Sequence, residues 1–125
     1  MSSKHLNQAT GKLGEHLGEN YLRERGYQII ERNVRSPFGE IDLVAREGNT
    51  LVFIEIKTRR DSTFGFPEEA VDSRKKDKII RLASWYLAQH PKVNPAVRFD
   101  VLAIQMKGSR PLINLIQNAF EAPFD

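Results

Sequence analysis

Gly48-Asn49 stands between two short apolar runs, Glu40–Arg46 and Leu51–Thr58, and this junction specifies a β-hairpin together with its register. A two-residue loop makes Glu47 face Thr50. Counting back, Val44 faces Phe53, Asp42 faces Glu55 and Glu40 faces Lys57. Directly opposed residues hold their Cβ atoms ~4.5–5.5 Å apart, so like charges there repel. Two carboxylates set opposite each other among Ile, Leu, Val and Phe stabilise a sheet poorly but suit a divalent cation. Ile41, Leu43, Ala45, Val52, Ile54 and Ile56 share one wholly apolar face. The other face carries Val44, Leu51 and Phe53 near the turn, with Glu40, Asp42, Glu55 and Lys57 at its open end. Such a sheet is covered on both sides, and the charged cluster lies at its rim.

The flanking segments complete an α/β pattern. Residues 1–8 read as a loose polar tail, and 9–121 as a single domain. From Thr10 to about Arg25, Leu13, Leu17, Tyr21 and Leu22 form a helical stripe that Gly26 ends. Gly14 and Gly18 lie on one side of that helix, where another backbone can approach closely. Tyr27–Val34 reads as a strand and Ser36-Pro37-Phe38-Gly39 as a turn. A loop over Asp61–Pro67 precedes a long helix from about Asp72 to Gln89, with Ile79, Leu82, Ala83 and Tyr86 as its buried stripe. Strands follow at Val97–Gln105 and Leu112–Ile116.

Composition narrows the function. The chain has no cysteine, which removes disulfides and thiolate zinc sites and fits a cytoplasmic setting. Its apolar runs are far short of the ~20 residues that span a bilayer, so no membrane role is expected. The net charge is +3, and eight of the nineteen basic residues fall between positions 57 and 81. These are Lys57, Arg59, Arg60, Arg74, Lys75, Lys76, Lys78 and Arg81. A charge run by itself is most often a solvated helix face. Beside a carboxylate pair of metal type, it reads better as a phosphate-binding surface, with Arg59, Arg60, Arg74, Lys75 and Lys78 as its nucleic-acid contacts. Oxygen ligands suit Mg²⁺ or Mn²⁺, which bind through one or two carboxylates plus phosphate. Asp42, Glu55 and Lys57 together then imply metal-assisted phosphodiester hydrolysis.

At this point the residues resemble a known class. Asp42, twelve intervening residues and Glu55-Ile56-Lys57 look like the PD-(D/E)XK nuclease signature, on an αβββαβ order. Gly11-x-x-Gly14-Glu15, Asn33-Val34-Arg35, Gly39 to Leu43, Phe53 to Arg59, Val71 to Lys75 and Arg98 to Val101 together resemble the YraN family, small bacterial proteins similar to Holliday-junction resolvases. The resemblance spans roughly Gly11 to Phe120. It implies a restriction-endonuclease-like α/β fold with a central mixed sheet flanked by helices. It also implies an endonuclease acting on DNA rather than RNA, branched or structured DNA above all, and a homodimer. Asp42 and Glu55 then bind metal, the Ile56 carbonyl adds a ligand, Lys57 is the catalytic lysine, and Glu15 completes the site from the first helix, approaching Asp42 if that helix packs over the mixed face. Ile41 departs from the proline that often precedes the first acid in the wider class.

Blander readings stand beside these. Glu19 lies one turn beyond Glu15 and is its rival. Glu40 is a further acid near the metal or a cross-strand partner of Lys57, and the hairpin register favours the partner. Asp100 reads as structural, bonded to a turn or to Arg98. His5, His16 and His90 read as incidental, and Trp85 and Tyr86 as core or dimer contacts. The competing functional class is a nucleic-acid-binding protein that keeps the fold without activity, and a third is a structural interaction module.

Overall fold

The computed structural model describes residues 3–59, 73–91, 96–107 and 110–121. Helix α1 (Ser3–Glu24) precedes three strands, β1 (Gln28–Ser36), β2 (Gly39–Glu47) and β3 (Thr50–Arg59). Helix α2 (Ser73–Gln89) follows, then β4 (Ala96–Lys107) and β5 (Arg110–Ile116). The strands form one mixed sheet in the order β1-β2-β3-β4-β5. Only β3 and β4 run parallel, and α2 lies on the crossover that a parallel pair requires. This is the expected α/β architecture, a central mixed sheet flanked by helices. Arg60 and the expected Asp61–Pro67 loop lie outside the described residues.

Helix α1 starts at Ser3, not near Thr10, because nothing between Ser3 and Ala9 breaks a helix. It ends as expected at Gly26, whose φ of 89° suits a residue without Cβ. The Gly26 and Tyr27 N–H groups close the last turn by donating to the Arg23 and Leu22 carbonyls.

Each sheet face carries one helix and one core. Leu22 and Tyr27, at the end of α1 and just beyond it, pack with Leu43, Ala45, Val52, Ile54, Leu102 and Ile104. On the other face Ile79, Leu82, Ala83 and Tyr86 of α2 cover Val44, Leu51, Phe53 and Phe99. The expected α2 stripe is thus buried in full. The two glycines of α1 set how closely that helix docks, and what approaches them is side chains of β3 and β4 in place of the expected backbone. A Cβ at Gly18 would stand 2.7 Å from Leu102 Cδ2, and one at Gly14 would collide with the Thr58 side chain.

One expectation about these faces is corrected. The all-apolar hairpin face receives α1, and the mixed face receives α2, so Glu15 does not descend onto the mixed face. A second correction concerns Ile41, which packs in the α2 core with Val34 and not alongside Leu43. The cause lies in β1. Asn33 has a φ of 51° and stands opposite Asp42, between the pairs Arg32↔Leu43 and Val34↔Ile41. That left-handed residue rotates both strands at one level. Arg32 bonds Glu19 on the α1 side, whereas Val34 two residues later lies in the α2 core.

Candidate active site

The β2–β3 ladder pairs Glu47 with Thr50 and Val44 with Phe53, as the loop length dictates, and its last pair is Leu43↔Ile54. Beyond that level the strands part, so Asp42 is not paired with Glu55, nor Glu40 with Lys57. The reason is local. A continued ladder would send the Ile56 N–H to the Ile41 carbonyl. Instead the Asp42 carboxylate takes it, with Oδ2 accepting from Ile56 N at 2.6 Å. Ile41 has turned to the α2 core, and β3 keeps its pairing with β4 through Arg59.

Asp42 therefore sits in the gap between two diverging strands, where charges from both faces of the sheet reach it. Burial pushes its pKa up to about 6, and the carboxylates of Glu55 and Glu15 push the same way. The Ile56 N–H and the Lys57 ammonium oppose them without cancelling them. No second hydrogen bond to Asp42 exists among the described residues. A half-buried carboxylate with one oxygen unserved and two acids nearby is poorly satisfied by the protein alone.

Glu55 is buried, with 8% of its surface exposed, and points toward α2. Its Oε1 holds Lys57 Nζ at 3.3 Å and Lys75 Nζ at 2.6 Å. Burial lowers the Lys57 pKa, and the neighbouring Lys75 lowers it further against the pull of Glu55. Burial works against protonation of Lys75 as well, but its bonds with Glu55 and Lys57 outweigh it, so Lys75 holds its proton more firmly than a free lysine. Lys75, read from the sequence as a phosphate contact, turns inward to Glu55 and joins the acid site.

Of the two rivals on α1, Glu15 is half-buried and its charge reaches Asp42. Glu19 is engaged elsewhere, paired with Arg32 at 2.7 Å and Arg23 at 3.1 Å. Glu40 is a surface residue whose partner is Arg35 at 3.3 Å, which corrects the pairing with Lys57. Arg59 follows Lys57 on β3, and Arg74 and Lys78 are exposed on α2. Of the histidines, His16 is exposed, and His90 stacks on Tyr86 at 4.3 Å. Tyr86 itself is core, with its hydroxyl donating to Glu31.

Among the described residues no three acidic or imidazole side chains meet as a ready-made metal cage. Mg²⁺ and Mn²⁺ do not need one, since they keep several waters and take one or two carboxylates. The unserved oxygen of Asp42, the buried Glu55 and the hard oxygen character of both fit that donor set.

Asn33 stands in the sequence only as part of the Asn33-Val34-Arg35 motif, although an Asn inside a strand-like run is itself a signal, because Asn tolerates the left-handed region and is depleted in strands. Asn33→Gly is expected to fold like the parent. Asn33→Val is expected to lose about 1–3 kcal/mol in urea unfolding and to return Ile56 to the ladder. Equal stability of the two variants would show that the φ of Asn33 does not constrain the strands.

The profile of the family described as "Uncharacterised protein family UPF0102" matches residues 14–104. A UPF0102 protein of Syntrophus aciditrophicus is 43% identical over 118 residues, covering 94% of this chain and 93% of the relative. One from Syntrophomonas wolfei is 44% identical over 115 residues, covering 92% and 100%. Among solved structures, Pyrococcus furiosus SfsA in complex with Ca²⁺ is similar at 14% identity. That match covers 89% of this chain but only 63% of SfsA, with a TM-score of 0.39.

Proposed function

The chain belongs to the UPF0102 family, and on the geometry of its acid site we propose that it is a Mg²⁺- or Mn²⁺-dependent endonuclease hydrolysing phosphodiester bonds in DNA. One observation carries this reading: the strands open at Asp42, leaving a half-buried carboxylate beside Glu55, Glu15 and Lys57 with one oxygen that no described residue serves. Asp42 and Glu55 would hold the cation, with Glu15 and the Ile56 carbonyl next to them. When bound, the cation supplies a water of lowered pKa and offsets charge on the phosphate.

The chain's own groups divide the remaining work. The Ile56 N–H fixes the Asp42 carboxylate, so that its free oxygen is directed by backbone and not by a mobile rotamer. Glu55 holds Lys57, whose pKa burial lowers, so that its side chain is placed to orient a water beside the phosphorus. Lys75, which keeps its proton, offers a fixed positive charge to a phosphate oxygen. Arg74 and Lys78 extend that charge along α2.

A second reading, a nucleic-acid-binding protein without activity, rests on the 2.6 Å Lys75–Glu55 ion pair, which gives the acid site a cation of its own. Linear, flapped and four-way DNA offered with Mg²⁺, with Mn²⁺ and with EDTA separate the two. The nuclease reading expects metal-dependent cleavage, greatest on branched substrates, that Glu55→Ala and Lys57→Ala abolish. Cleavage that survives both substitutions belongs to another protein. Binding without cleavage under either metal favours the second reading.

A further inference from the structure

We propose that the groove between the β1–β2 turn and α2 binds a single strand of nucleic acid, with Arg74, Lys78 and Arg81 on its phosphates and Phe38 stacked on an unpaired base. The inference rests on the nucleic-acid reading above and adds the form of nucleic acid that the site receives.

The groove has a volume of about 390 Å³ and is lined by Pro37, Phe38, Arg74, Asp77, Lys78 and Arg81. Arg74, Lys78 and Arg81 recur at helical spacing, so they share one exposed face of α2. None has an ion-pair partner among the described residues, and Asp77 is the one acid among the described residues that line the groove. Stability does not account for them. The first turn of α2 contains no acidic residue and carries Arg74, Lys75 and Lys76, where the helix dipole disfavours positive charge. A net positive groove that weakens its own helix points to an anionic ligand.

Phe38 makes the ligand more specific. It is 40% exposed and belongs to neither core. It is nevertheless held in place. Ser36 Oγ accepts the Phe38 N–H at 3.0 Å and donates to the Gly39 carbonyl at 3.0 Å, and Gly39 takes a φ of 137°. An aromatic ring presented on a braced turn beside three cations is the combination that grips single strands, by stacking on bases and tracking the backbone. A duplex keeps its base faces covered and offers such a ring nothing. The groove also adjoins the acid site. Lys75, between Arg74 and Lys78, turns inward to Glu55, and Phe38 lies in the turn four positions before Asp42, on the order of 13 Å along the chain.

The test is fluorescence anisotropy with labelled oligothymidylate and with a duplex of equal length, in EDTA, so that neither metal nor cleavage enters. Phe38→Ala is expected to weaken oligothymidylate binding about tenfold while changing duplex binding less than twofold, and Phe38→Trp to restore it. Arg74→Ala with Lys78→Ala and Arg81→Ala should flatten the salt dependence for the single strand by about two units of slope. Their melting temperature should be unchanged or higher, because Arg74 in the first turn opposes the dipole and Lys78 and Arg81 are exposed without ion-pair partners among the described residues. Equal affinity of wild type and Phe38→Ala overturns the proposal, as does a poly-glutamate peptide binding as tightly as the oligonucleotide. If the oligonucleotide binds as expected and no DNA is cut with either metal, the nuclease reading falls and the groove stands. If metal-dependent cleavage is found while the groove variants bind like wild type, the groove falls alone.

Discussion

Asp42→Asn is expected to make the metal-free protein more stable at pH 7.5 and to abolish its response to Mg²⁺ and Mn²⁺. Burial, then Glu55 and Glu15, raise the Asp42 pKa from 3.8 to about 6 in the fold. The folded state thus holds this proton more tightly than the unfolded chain. Stability contributed at Asp42 is fully present below about pH 4, falls as pH rises to about 6, and stays lost above that. A shift of about two units corresponds to about 3 kcal/mol as an upper bound. Asparagine keeps an oxygen for the Ile56 N–H and carries no charge, so Asp42→Asn should recover about 1–3 kcal/mol at pH 7.5, or about 4–12 °C of melting temperature. The difference between the two proteins should vanish near pH 4.

Metal acts in the opposite direction on the wild type alone. A cation at a hundred times its Kd adds about 2.7 kcal/mol, and its binding requires Asp42 to be ionised, so affinity should rise through pH 6. Melting curves from pH 4 to 8, with EDTA or Mn²⁺, read both effects. An Asp42→Asn protein less stable than wild type in EDTA, together with a wild-type melting point that Mn²⁺ leaves unmoved, would sink the metal site.

The turn half of the hairpin was legible because its determinants are local. Gly48-Asn49 alone sets Glu47 against Thr50 and Val44 against Phe53, and both pairs form. The α2 stripe and the close docking of α1 at Gly14 and Gly18 follow from spacing in the same way. The open half failed because its determinants lie on other elements. Counting register past Leu43 assumes that nothing competes for β2 and β3. In the fold β4 holds β3 straight through Arg59, while Asn33 turns β1 and β2 away. A single left-handed residue leaves no trace in hydropathy alternation, so alternation puts Ile41 on the face of Leu43 whereas it packs against α2. The juxtaposition of Asp42 and Glu55 survives in changed form, as two acids across a gap and not as a cross-strand pair. Lys75 on Glu55 was illegible for a related reason, since it depends on where α2 crosses the sheet.

Asp100→Ala is expected to cost about 3–5 kcal/mol, because it removes the acceptor at the centre of a buried polar network. Asp100 is 1% exposed. Its Oδ1 accepts from Arg98 Nε at 2.9 Å and from the Asn118 N–H at 2.9 Å. Its Oδ2 accepts from the Tyr27 hydroxyl at 2.8 Å and from Arg98 Nη2 at 3.0 Å. Arg98 reaches on to Glu47 at 2.9 Å, and Gln117 donates to Tyr27 at 2.8 Å. One carboxylate thus ties the start of β1, the tip of the β2–β3 hairpin, β4 and the turn after β5. Burial pushes the Tyr27 pKa up to about 12, so its hydroxyl stays a donor throughout the working pH range. Without Asp100, the Arg98 guanidinium and the Asn118 N–H are left in a poorly solvated place, and that penalty exceeds the net worth of the bonds. The companion variant Arg98→Met with Asp100→Leu should therefore be more stable than Asp100→Ala, since neither charge remains. Total stability for a domain of this kind is about 5–15 kcal/mol, so Asp100→Ala stands close to the threshold of folding. The network lies on the α1 side, toward the Gly48-Asn49 end, while Glu55 and Lys57 face α2. The stabilisation by Mn²⁺ should accordingly be the same in Asp100→Asn as in wild type even though its midpoint in urea falls. A loss of the Mn²⁺ response in that variant would mean that Asp100 acts on the acid site and is not solely a clasp of the fold.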